Sequence, residues 1–316
     1  MNLSVCIPVY GVEKYIARCA RSLFEQTMKE GIEFIFVNDC TQDNSMAVLE
    51  QVLAEYPERK DQVKIIHHEK NKGLVSARKT GIAHAVGDYI IHCDSDDWVE
   101  PEMYEDMYRA AIQQDADLVY CAFVPDDGNG PIKDFPVQVY QNMKDLLLDP
   151  NLYVALPTKL FRREHVIAED IDVPDDLCYG EDLLRVTQTL LKCKRVACCP
   201  RAYYHYFRGN DSSYTLSFNR KSLDQWLNAI HSLNTRFPGQ LHLEKWKGDA
   251  LYQAIVRHLV TTEEYKAIVG KDFFKMLNAR ALHPVKKGII LFANISYPFA
   301  SFIFAAVLRL WKRNNR

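Results

Sequence analysis

This sequence has no large excess of charge of either sign. It contains few glycines and prolines, 13 of each, and its cysteines form no CxxC pair. Its 316 residues include 39 basic and 41 acidic side chains, for a formal net charge of −2, and 48% are hydrophobic. This balance excludes a disordered chain, a collagen-like repeat and a highly charged polymer. At about 100–200 residues per domain, we expect one large domain or a catalytic domain with an appendage.

The nine cysteines are scattered, with no CxxC pair and no ordered spacing to histidine. An odd number in this arrangement favours a reducing compartment and argues against a structural zinc site. The N-terminal segment MNLSVCIPVY has neither a basic region nor a long apolar run. We therefore expect no signal peptide and a cytoplasmic catalytic body.

The near-zero net charge conceals a difference between the body and the tail. After residue 270, nine basic residues stand against one acidic residue, which gives +8 there and leaves −10 for the preceding 270 residues. An acidic body argues against nucleic-acid binding. A basic tail beside apolar residues suits an anionic membrane surface, such as the cytoplasmic face of a bacterial membrane.

Residues 288–308 are 21 consecutive uncharged positions, long enough to span a bilayer. Basic residues flank both ends, so the orientation is left open, and Pro298 also allows a kinked interfacial or re-entrant helix. We expect residues 285–316 to associate with a membrane, either across it or on its surface. The alternative is a terminal helix that packs on the protein itself.

The first half of the chain alternates apolar runs with segments of helical periodicity. The runs at residues 3–9, 32–37, 63–67, 88–93 and 117–123 predict strands, and helices are expected between them, for example at residues 16–24 and 74–86. Such repeats predict an α/β fold with a mainly parallel sheet flanked by helices. The polar residues that follow each strand then meet at one edge, so Asp39 and residues 94–97 should share a crevice.

Two segments of that edge indicate a nucleotide diphosphate site. Asp94 and Asp96 suit a Mg²⁺ or Mn²⁺ ion that completes its shell with phosphate oxygens, although a solvated acidic turn is the alternative. The loop that enters the next helix offers backbone N–H groups and two cations, which attract phosphate; the alternative is a plain surface loop. The residues concerned in that loop are Asn71, Lys72, Gly73 and Arg78.

Four segments in order make the chain resemble glycosyltransferase family 2. They are VCIPVYGVEKYIARCARSLFEQT, EFIFVNDCTQDNS, NKGLVSARKTGIAHAVGDYIIHCDSDDWVEP and YGEDLL, within residues 1–215. The resemblance implies the Rossmann-like GT-A fold, inversion at the anomeric carbon, and a nucleotide-sugar donor bound with Mn²⁺ or Mg²⁺. The donor in this family is most often a uridine diphosphate sugar.

The resemblance also implies roles for individual residues. On the donor side, Pro8, Val9 and Tyr10 would line the base pocket, Asp39 would bond the uracil, Asp94 and Ser95 would lie near the ribose or sugar, and Asp96 would bind the metal with Asp94. Asp182 would be the catalytic base and Glu181 an acceptor contact. His205 or Arg208 would contact phosphate or metal.

Some positions depart from the family pattern. Asn38 and Cys40 replace commoner residues around Asp39, which leaves the choice of base open, and Lys79 stands where Asn is frequent. His92 replaces an apolar residue before the acidic triplet, and we interpret it as a histidine packed in its strand.

The predicted organisation has three parts. Residues 1–215 form the catalytic domain, with a nucleotide-sugar half at 1–124 and an acceptor half at 125–215 that opens with a loop at 125–136. Residues 216–284 form a C-terminal helical region and residues 285–316 the membrane-associating tail. One helix of that region should bury a single apolar face, comprising Leu223, Trp226, Leu227, Ile230 and Leu233.

The predicted function is transfer of a hexose-type sugar to a glycan or lipid-linked acceptor in cell-surface polysaccharide synthesis. One alternative is a sugar-1-phosphate nucleotidyltransferase, although IPVYGVEKY lacks the glycine-rich, arginine-containing loop of those enzymes. The other alternative is a membrane-tethered, non-catalytic nucleotide-sugar-binding protein.

Overall fold

The computed structural model describes residues 1–128, 130, 138–148, 154–210, 218–239, 241, 243–270, 273–278 and 282–314, with the backbone alone for 148, 276 and 306–314. The chain forms two compact units. The first draws on Met1–Leu146, Val154–Leu177 and Glu181–Asp211, and the second on Leu147–Tyr153, Cys178–Gly180 and Ser212–Arg316. The predicted domain boundary at residue 215 lies outside the described residues.

One eight-stranded sheet organises the described part of the first unit. Its strands are β1 (Leu3–Val9), β2 (Ile32–Asn38), β3 (Val63–His67), β4 (Tyr89–His92), β5 (Trp98–Val99), β6 (Leu118–Asp126), β7 (Lys159–Arg162) and β8 (Val196–Phe207). Their order is β3-β2-β1-β4-β7-β6-β8-β5. The predicted parallel pairing is confirmed for β3-β2-β1-β4 and also joins β6 to β8. The short strands β7 and β5 pair antiparallel to their neighbours.

Helices cover both faces of this sheet. All of β1 is buried, as expected for a strand between two helical layers. On one face, α1 (Ile16–Phe24) buries the five side chains that the periodicity predicted, namely Ile16, Cys19, Ala20, Leu23 and Phe24. On the other face, α3 (Leu74–His84) approaches β1 closely at Gly81, where a β-carbon would lie 3.1 Å from the Cβ atom of Cys6.

The other helices before residue 191 are α2 (Ser45–Ala54), α4 (Met103–Gln113), α5 (Met143–Leu148), α6 (Arg163–Val166) and α7 (Glu181–Leu190). Two 3₁₀ helices span Pro57–Gln62 and Leu156–Thr158. Asp39 follows β2, the acidic residues 94–97 follow β4, and α3 begins one residue after Gly73. The carboxyl ends of neighbouring parallel strands thus bring these segments to one edge, as predicted.

The sequence pattern missed part of the sheet. Strands β5 and β7 have two and four residues, and β8 mixes buried, half-buried and exposed positions, so none of the three is a continuous apolar run. The predicted loop at 125–136 is wrong at its start, because Pro125 and Asp126 pair with Tyr206 and Phe207 in β8. Residues 129 and 131–137 of that loop lie outside the described residues.

The second unit is helical in its described residues. Its helices are α8 (Arg220–Arg236), α9 (Glu244–Val256), α10 (Thr262–Val269), α11 (Phe273–Asn278), α12 (Pro284–Ile295) and α13 (Tyr297–Asn314). Four of the five apolar residues predicted on one face of α8 are buried, whereas Leu227 is only half-buried and Ala229 is buried instead.

The apolar segment at 288–308 is divided between α12 and α13. The division falls at Ser296, which has extended backbone, and Pro298 lies in the first turn of α13, where its missing N–H is tolerated. One side of the two helices is buried, and the hydroxyl of Tyr297 donates to the carbonyl oxygen of Val260 at 2.8 Å. No helix in the described part of the chain is both long and apolar enough to cross a membrane.

Candidate active site

Asp39 ties together the loops that follow β2 and β3. Its Oδ1 atom accepts the backbone N–H of Lys72 at 2.8 Å, and its Oδ2 atom accepts that of Gly73 at 2.7 Å. Nδ1 of His68 lies 2.7 Å from the same Oδ1 atom. Gly73 has φ +87°, a conformation that glycine adopts without strain. Asp39 and the predicted Asn71–Gly73 loop therefore belong to one hydrogen-bonded assembly.

The three carboxylates after β4 have different partners. Asp94 accepts from Nη2 of Arg78 at 2.7 Å, and Asp96 accepts from the side-chain amide of Asn210 at 2.7 Å. Asp97 is buried and accepts from the hydroxyl of Tyr204 and from the backbone N–H of Phe207. Asp97 therefore connects the loop after β4 to β8 through hydrogen bonds. Asp94 and Asp96 are the two acids of this group that remain as candidate ligands.

The pKa of Asp96 is raised, first by burial and then by the neighbouring charge of Asp94. A bound cation would offset both effects. The described residues contain no cluster of three or more His, Cys, Asp or Glu side chains able to hold a metal on their own. One or two carboxylates nevertheless fit an ion of the Mg²⁺ type, which takes its other ligands from water and substrate phosphates.

A buried arginine links this edge of the sheet to the start of α7. Nη1 of Arg78 contacts Glu181 and lies 2.6 Å from Oδ1 of Asp182, while Nη2 reaches Asp94. The Arg78 side chain is 3% exposed, whereas that of Asp182 is 33% exposed. Asp182 also accepts the backbone N–H of Leu156 at 3.4 Å. Of the predicted catalytic pair, Asp182 is thus the member that substrate can reach.

The two acids of this pair differ in their pKa. Burial alone would raise the pKa of Glu181, but the charge of Arg78, the hydrogen bond with Asp182 and the charge of Arg185 together lower that pKa below its usual range. Burial raises the pKa of Asp182, and the charge of Glu181 adds to this effect against the opposing charge of Arg78. Glu181 therefore stays ionised while Asp182 is the stronger base, the separation expected when two adjacent carboxylates have different roles.

Three further residues support the site and were missed in the sequence. Arg185 donates to Glu181 at 3.0 Å, and its i, i+4 spacing from Glu181 is a signal that could have found it. Arg18 stacks on the ring of Trp98, 3.6 Å from its centroid, and donates to the carbonyl oxygen of Asp96. His68 bonds Asp39, and only its position directly after β3 hinted at this.

The remaining predicted residues are placed as follows. Pro8 and Val9 end β1 and are buried, whereas Tyr10 is exposed. Ser95 is buried beside Asp94 and Asp96. His92 is buried in β4, as predicted, and burial with the charges of Arg78 and Arg185 lowers its pKa to about 3, so it is neutral.

His205 and Arg208 lie at the end of β8. Nε2 of His205 is 2.7 Å from Glu100, and its ring stacks on Trp98 with the centroids 4.9 Å apart. The Arg208 side chain is exposed, and its backbone N–H donates to the carbonyl oxygen of Asp126. Their contacts with phosphate or metal stay a prediction.

The site combines three features: carboxylates at strand ends, a loop that offers backbone N–H donors, and two adjacent acids with different pKa values. This combination is typical of α/β enzymes that act on nucleotides. Residues 4–168 match the model for glycosyl transferase family 2. The chain belongs to this family. It is 32% identical over 287 residues to the putative glycosyltransferase EpsH of Bacillus subtilis, covering 87% of this chain and 80% of that protein.

Solved structures confirm the fold class. The crystal structure of Staphylococcus aureus TarS 1-349 in complex with UDP-GlcNAc superposes with a TM-score of 0.67 at 19% identity, covering 98% of this chain and 92% of that one. The mannosyltransferase PcManGT from Pyrobaculum calidifontis, in complex with GDP-Man and Mn²⁺, gives a TM-score of 0.58 at 14% identity, covering 96% and 87%. The expected GT-A architecture is therefore present.

Proposed function

We propose that this family 2 glycosyltransferase moves a hexose-type sugar from a uridine diphosphate sugar to a hydroxyl group, with inversion at the anomeric carbon. The observation that carries the proposal is the Arg78 guanidinium, which holds Asp94 on the donor side and the Glu181–Asp182 pair in one cluster. The complex of TarS with UDP-GlcNAc supports a nucleotide-sugar donor. The acceptor proposed is a glycan or lipid-linked glycan in cell-surface polysaccharide synthesis.

In the proposed mechanism, Asp182 removes the proton from the acceptor hydroxyl as its oxygen attacks the anomeric carbon opposite the diphosphate. A raised pKa makes this carboxylate a better base, and the Leu156 N–H and Arg78 fix its orientation. Glu181 holds Arg78 in place and remains anionic. No covalent intermediate with the protein is required.

We propose Asp96 and Asp94 as the metal ligands. A bound Mn²⁺ or Mg²⁺ would neutralise charge on the leaving diphosphate. The Mn²⁺ in the PcManGT complex supports this choice in a protein of similar fold. The predicted halves of the catalytic domain, donor at 1–124 and acceptor at 125–215, are part of the same proposal, since Asp39 and Asp94 lie in the first and Asp182 in the second.

The test is donor turnover across a panel of UDP- and GDP-sugars, with and without Mn²⁺. We expect slow hydrolysis of at least one UDP-sugar that depends on the metal and is lost in Asp96→Ala. Binding without turnover of any donor, even with acceptor extracts, would favour the non-catalytic alternative. Formation of a nucleotide-sugar from a sugar 1-phosphate would favour the nucleotidyltransferase.

We further propose that α12 and α13 hold the chain at the cytoplasmic face of a membrane. Five large apolar side chains are exposed within 18 residues, namely Val285, Leu291, Ile295, Phe299 and Phe302. Phe292 contacts the rings of both Phe299 and Phe304, so the exposed positions of the two helices adjoin. Residues 284–316 include six basic and no acidic residues, which suits anionic lipid.

Vesicle sedimentation tests this attachment. The wild-type chain should pellet with phosphatidylglycerol vesicles and much less with phosphatidylcholine vesicles, and Phe299→Asp with Phe302→Asp should abolish pelleting. Phe274→Asp is the matched control, because Phe274 is 73% exposed but outside α12 and α13. Unchanged pelleting of the double variant, or equal pelleting of all three proteins, would contradict the proposal.

A further inference from the structure

The protein already uses most of the hydrogen-bonding capacity of Asp39. An ionised carboxylate offers about four acceptor positions, two on each oxygen. The backbone N–H of Lys72 and Nδ1 of His68 occupy Oδ1, and the backbone N–H of Gly73 occupies one position on Oδ2. Among the described residues, one acceptor position on Oδ2 has no donor, and the Asp39 side chain is 4% exposed.

His68 is fixed on its other side as well. Its Nε2 atom lies 2.8 Å from the hydroxyl of Thr80 in α3, and its side chain is 4% exposed. Because an ionised carboxylate only accepts, Nδ1 of His68 must carry the hydrogen that faces Asp39. Thr80, His68 and Asp39 thus form a chain of hydrogen bonds that runs from α3 to the end of β2.

We propose that His68 is a positioning residue that restricts the base site to a nucleobase offering a single ring N–H. This inference rests on the proposed function, in which Asp39 contacts the donor base. Uracil and thymine present one imide N–H between two carbonyl groups, which fits the one open position on Oδ2. Guanine presents two adjacent N–H donors that bind a carboxylate through both oxygens, and His68 together with Lys72 occupies the second oxygen.

The fold leaves the choice of base open, since proteins of similar fold are described with UDP-GlcNAc and with GDP-Man. Two of the three protein donors to Asp39 are backbone groups that substitution keeps. His68 is the donor that a single substitution removes. Its loss frees a position on Oδ1 and loosens the carboxylate, which weakens uracil binding and admits guanine.

The experiment measures binding of UDP, dTDP and GDP by calorimetry to the full chain and three variants. His68→Phe keeps a ring of similar size without hydrogen bonds, and Thr80→Val removes the partner of Nε2. His67→Gln is the matched control, because His67 is the adjacent histidine but contacts Asn38 and not Asp39. Thermal unfolding of each variant shows that it is folded.

We expect the wild type to prefer UDP or dTDP over GDP, and the preferred one of the two identifies the base. His68→Phe should weaken imide binding about tenfold, the effect of losing one hydrogen bond to a charged group, and reduce the preference over GDP by at least as much. Thr80→Val should change the same ratio in the same direction but less, and His67→Gln should leave it unchanged.

An unchanged UDP-to-GDP ratio in folded His68→Phe would overturn the role of His68 and leave the proposed function standing. A wild-type preference for GDP would overturn both the role of His68 and the uridine diphosphate donor of the proposed function. If His68→Phe does not fold, the ratio in Thr80→Val decides in the same way. Failure of the wild type to bind any of the three nucleotides would instead overturn the proposed function.

Discussion

Nη1 of Arg78 lies 2.6 Å from Oδ1 of Asp182, although 104 residues separate the two positions in the chain. The other terminal nitrogen of the same guanidinium lies 2.7 Å from Asp94. Because a guanidinium is planar and rigid, a shift of either acid is transmitted to the other. The proposed base is thus held in a fixed place relative to the donor-side carboxylate.

Arg78→Gln should move the acid limb of the pH–activity profile to higher pH. The base must be ionised to act, so kcat/KM rises as pH passes the pKa of Asp182, and the charge of Arg78 lowers that pKa. Removing the charge should shift the midpoint upward by about one unit or more. A midpoint that stays in place or moves down would contradict the proposed base.

The matched control for this measurement is Lys79→Gln. Lys79 is the next residue in α3, but it pairs with the exposed Asp175 and not with Glu181 or Asp182. Its loss should leave the midpoint unchanged. Arg78→Gln should also lower the free energy of unfolding by about 3 kcal/mol, because it removes the buried cation shared by three carboxylates, of which Glu181 keeps Arg185 as a partner.

Asp96→Ala and Asp97→Ala should separate metal binding from stability. Asp97→Ala leaves the buried Tyr204 hydroxyl and the Phe207 N–H without their acceptor. It should therefore lower the free energy of unfolding, measured in guanidinium chloride, by about 2–4 kcal/mol. Asp96→Ala should change the free energy of unfolding by less than about 1 kcal/mol and abolish the Mn²⁺-dependent turnover of the donor. If Asp97→Ala unfolds like the wild type, or Asp96→Ala retains full metal-dependent turnover, the assignment of the two acids is incorrect.

Gly73→Ala should lower the stability of the protein and, in addition, weaken donor binding. The positive φ of Gly73 disfavours alanine by about 1–2 kcal/mol, and relief of that strain would move the N–H that Asp39 accepts. Gly239→Ala is the control, since Gly239 has φ +71° and open space around it, whereas the N–H that Asp39 accepts belongs to Gly73. We expect both variants to lose similar stability and only Gly73→Ala to show a higher donor Kd. Equal donor Kd values for the two variants would contradict a role of the Asn71–Gly73 loop in donor binding.

Patterns local in sequence predicted the parallel part of the sheet, β3-β2-β1-β4, and the helices around it. The predicted strand at 3–9 matches β1, and α1 buries the five predicted side chains, because continuous apolar runs and helical periodicity are set by burial between layers. The predicted strand at 63–67 matches β3, which is the edge strand and has only half-buried and exposed residues. Strands β5, β7 and β8 depend on pairing with residues far away in the chain. No local period marks them, so the mixed part of the sheet could not be predicted.

The site divides in the same way. The order of strands and loops was enough to bring Asp39, Asp94 and the start of α3 to one edge. The structural role that distinguishes Asp97 from Asp94 and Asp96 could not be predicted, because it depends on the Tyr204 hydroxyl, 107 residues away in the chain. The hydrogen bond between His68 and Asp39 likewise joins residues that follow two different strands, β3 and β2. The sequence gives no sign that both oxygens of Asp39 accept hydrogen bonds.

The most direct measurement follows the anomeric configuration of the released sugar by real-time NMR while the chain hydrolyses an α-linked UDP-sugar, with wild type, Asp182→Asn and the control Asp175→Asn. The side chain of Asp175 is 69% exposed, and its ion-pair partner is Lys79. We predict that the wild type and Asp175→Asn release the β-anomer first, and that Asp182→Asn binds UDP with unchanged affinity but turns over at least a hundredfold more slowly, the lower range for loss of a general base. Initial release of the α-anomer, or wild-type turnover by Asp182→Asn, would contradict the account.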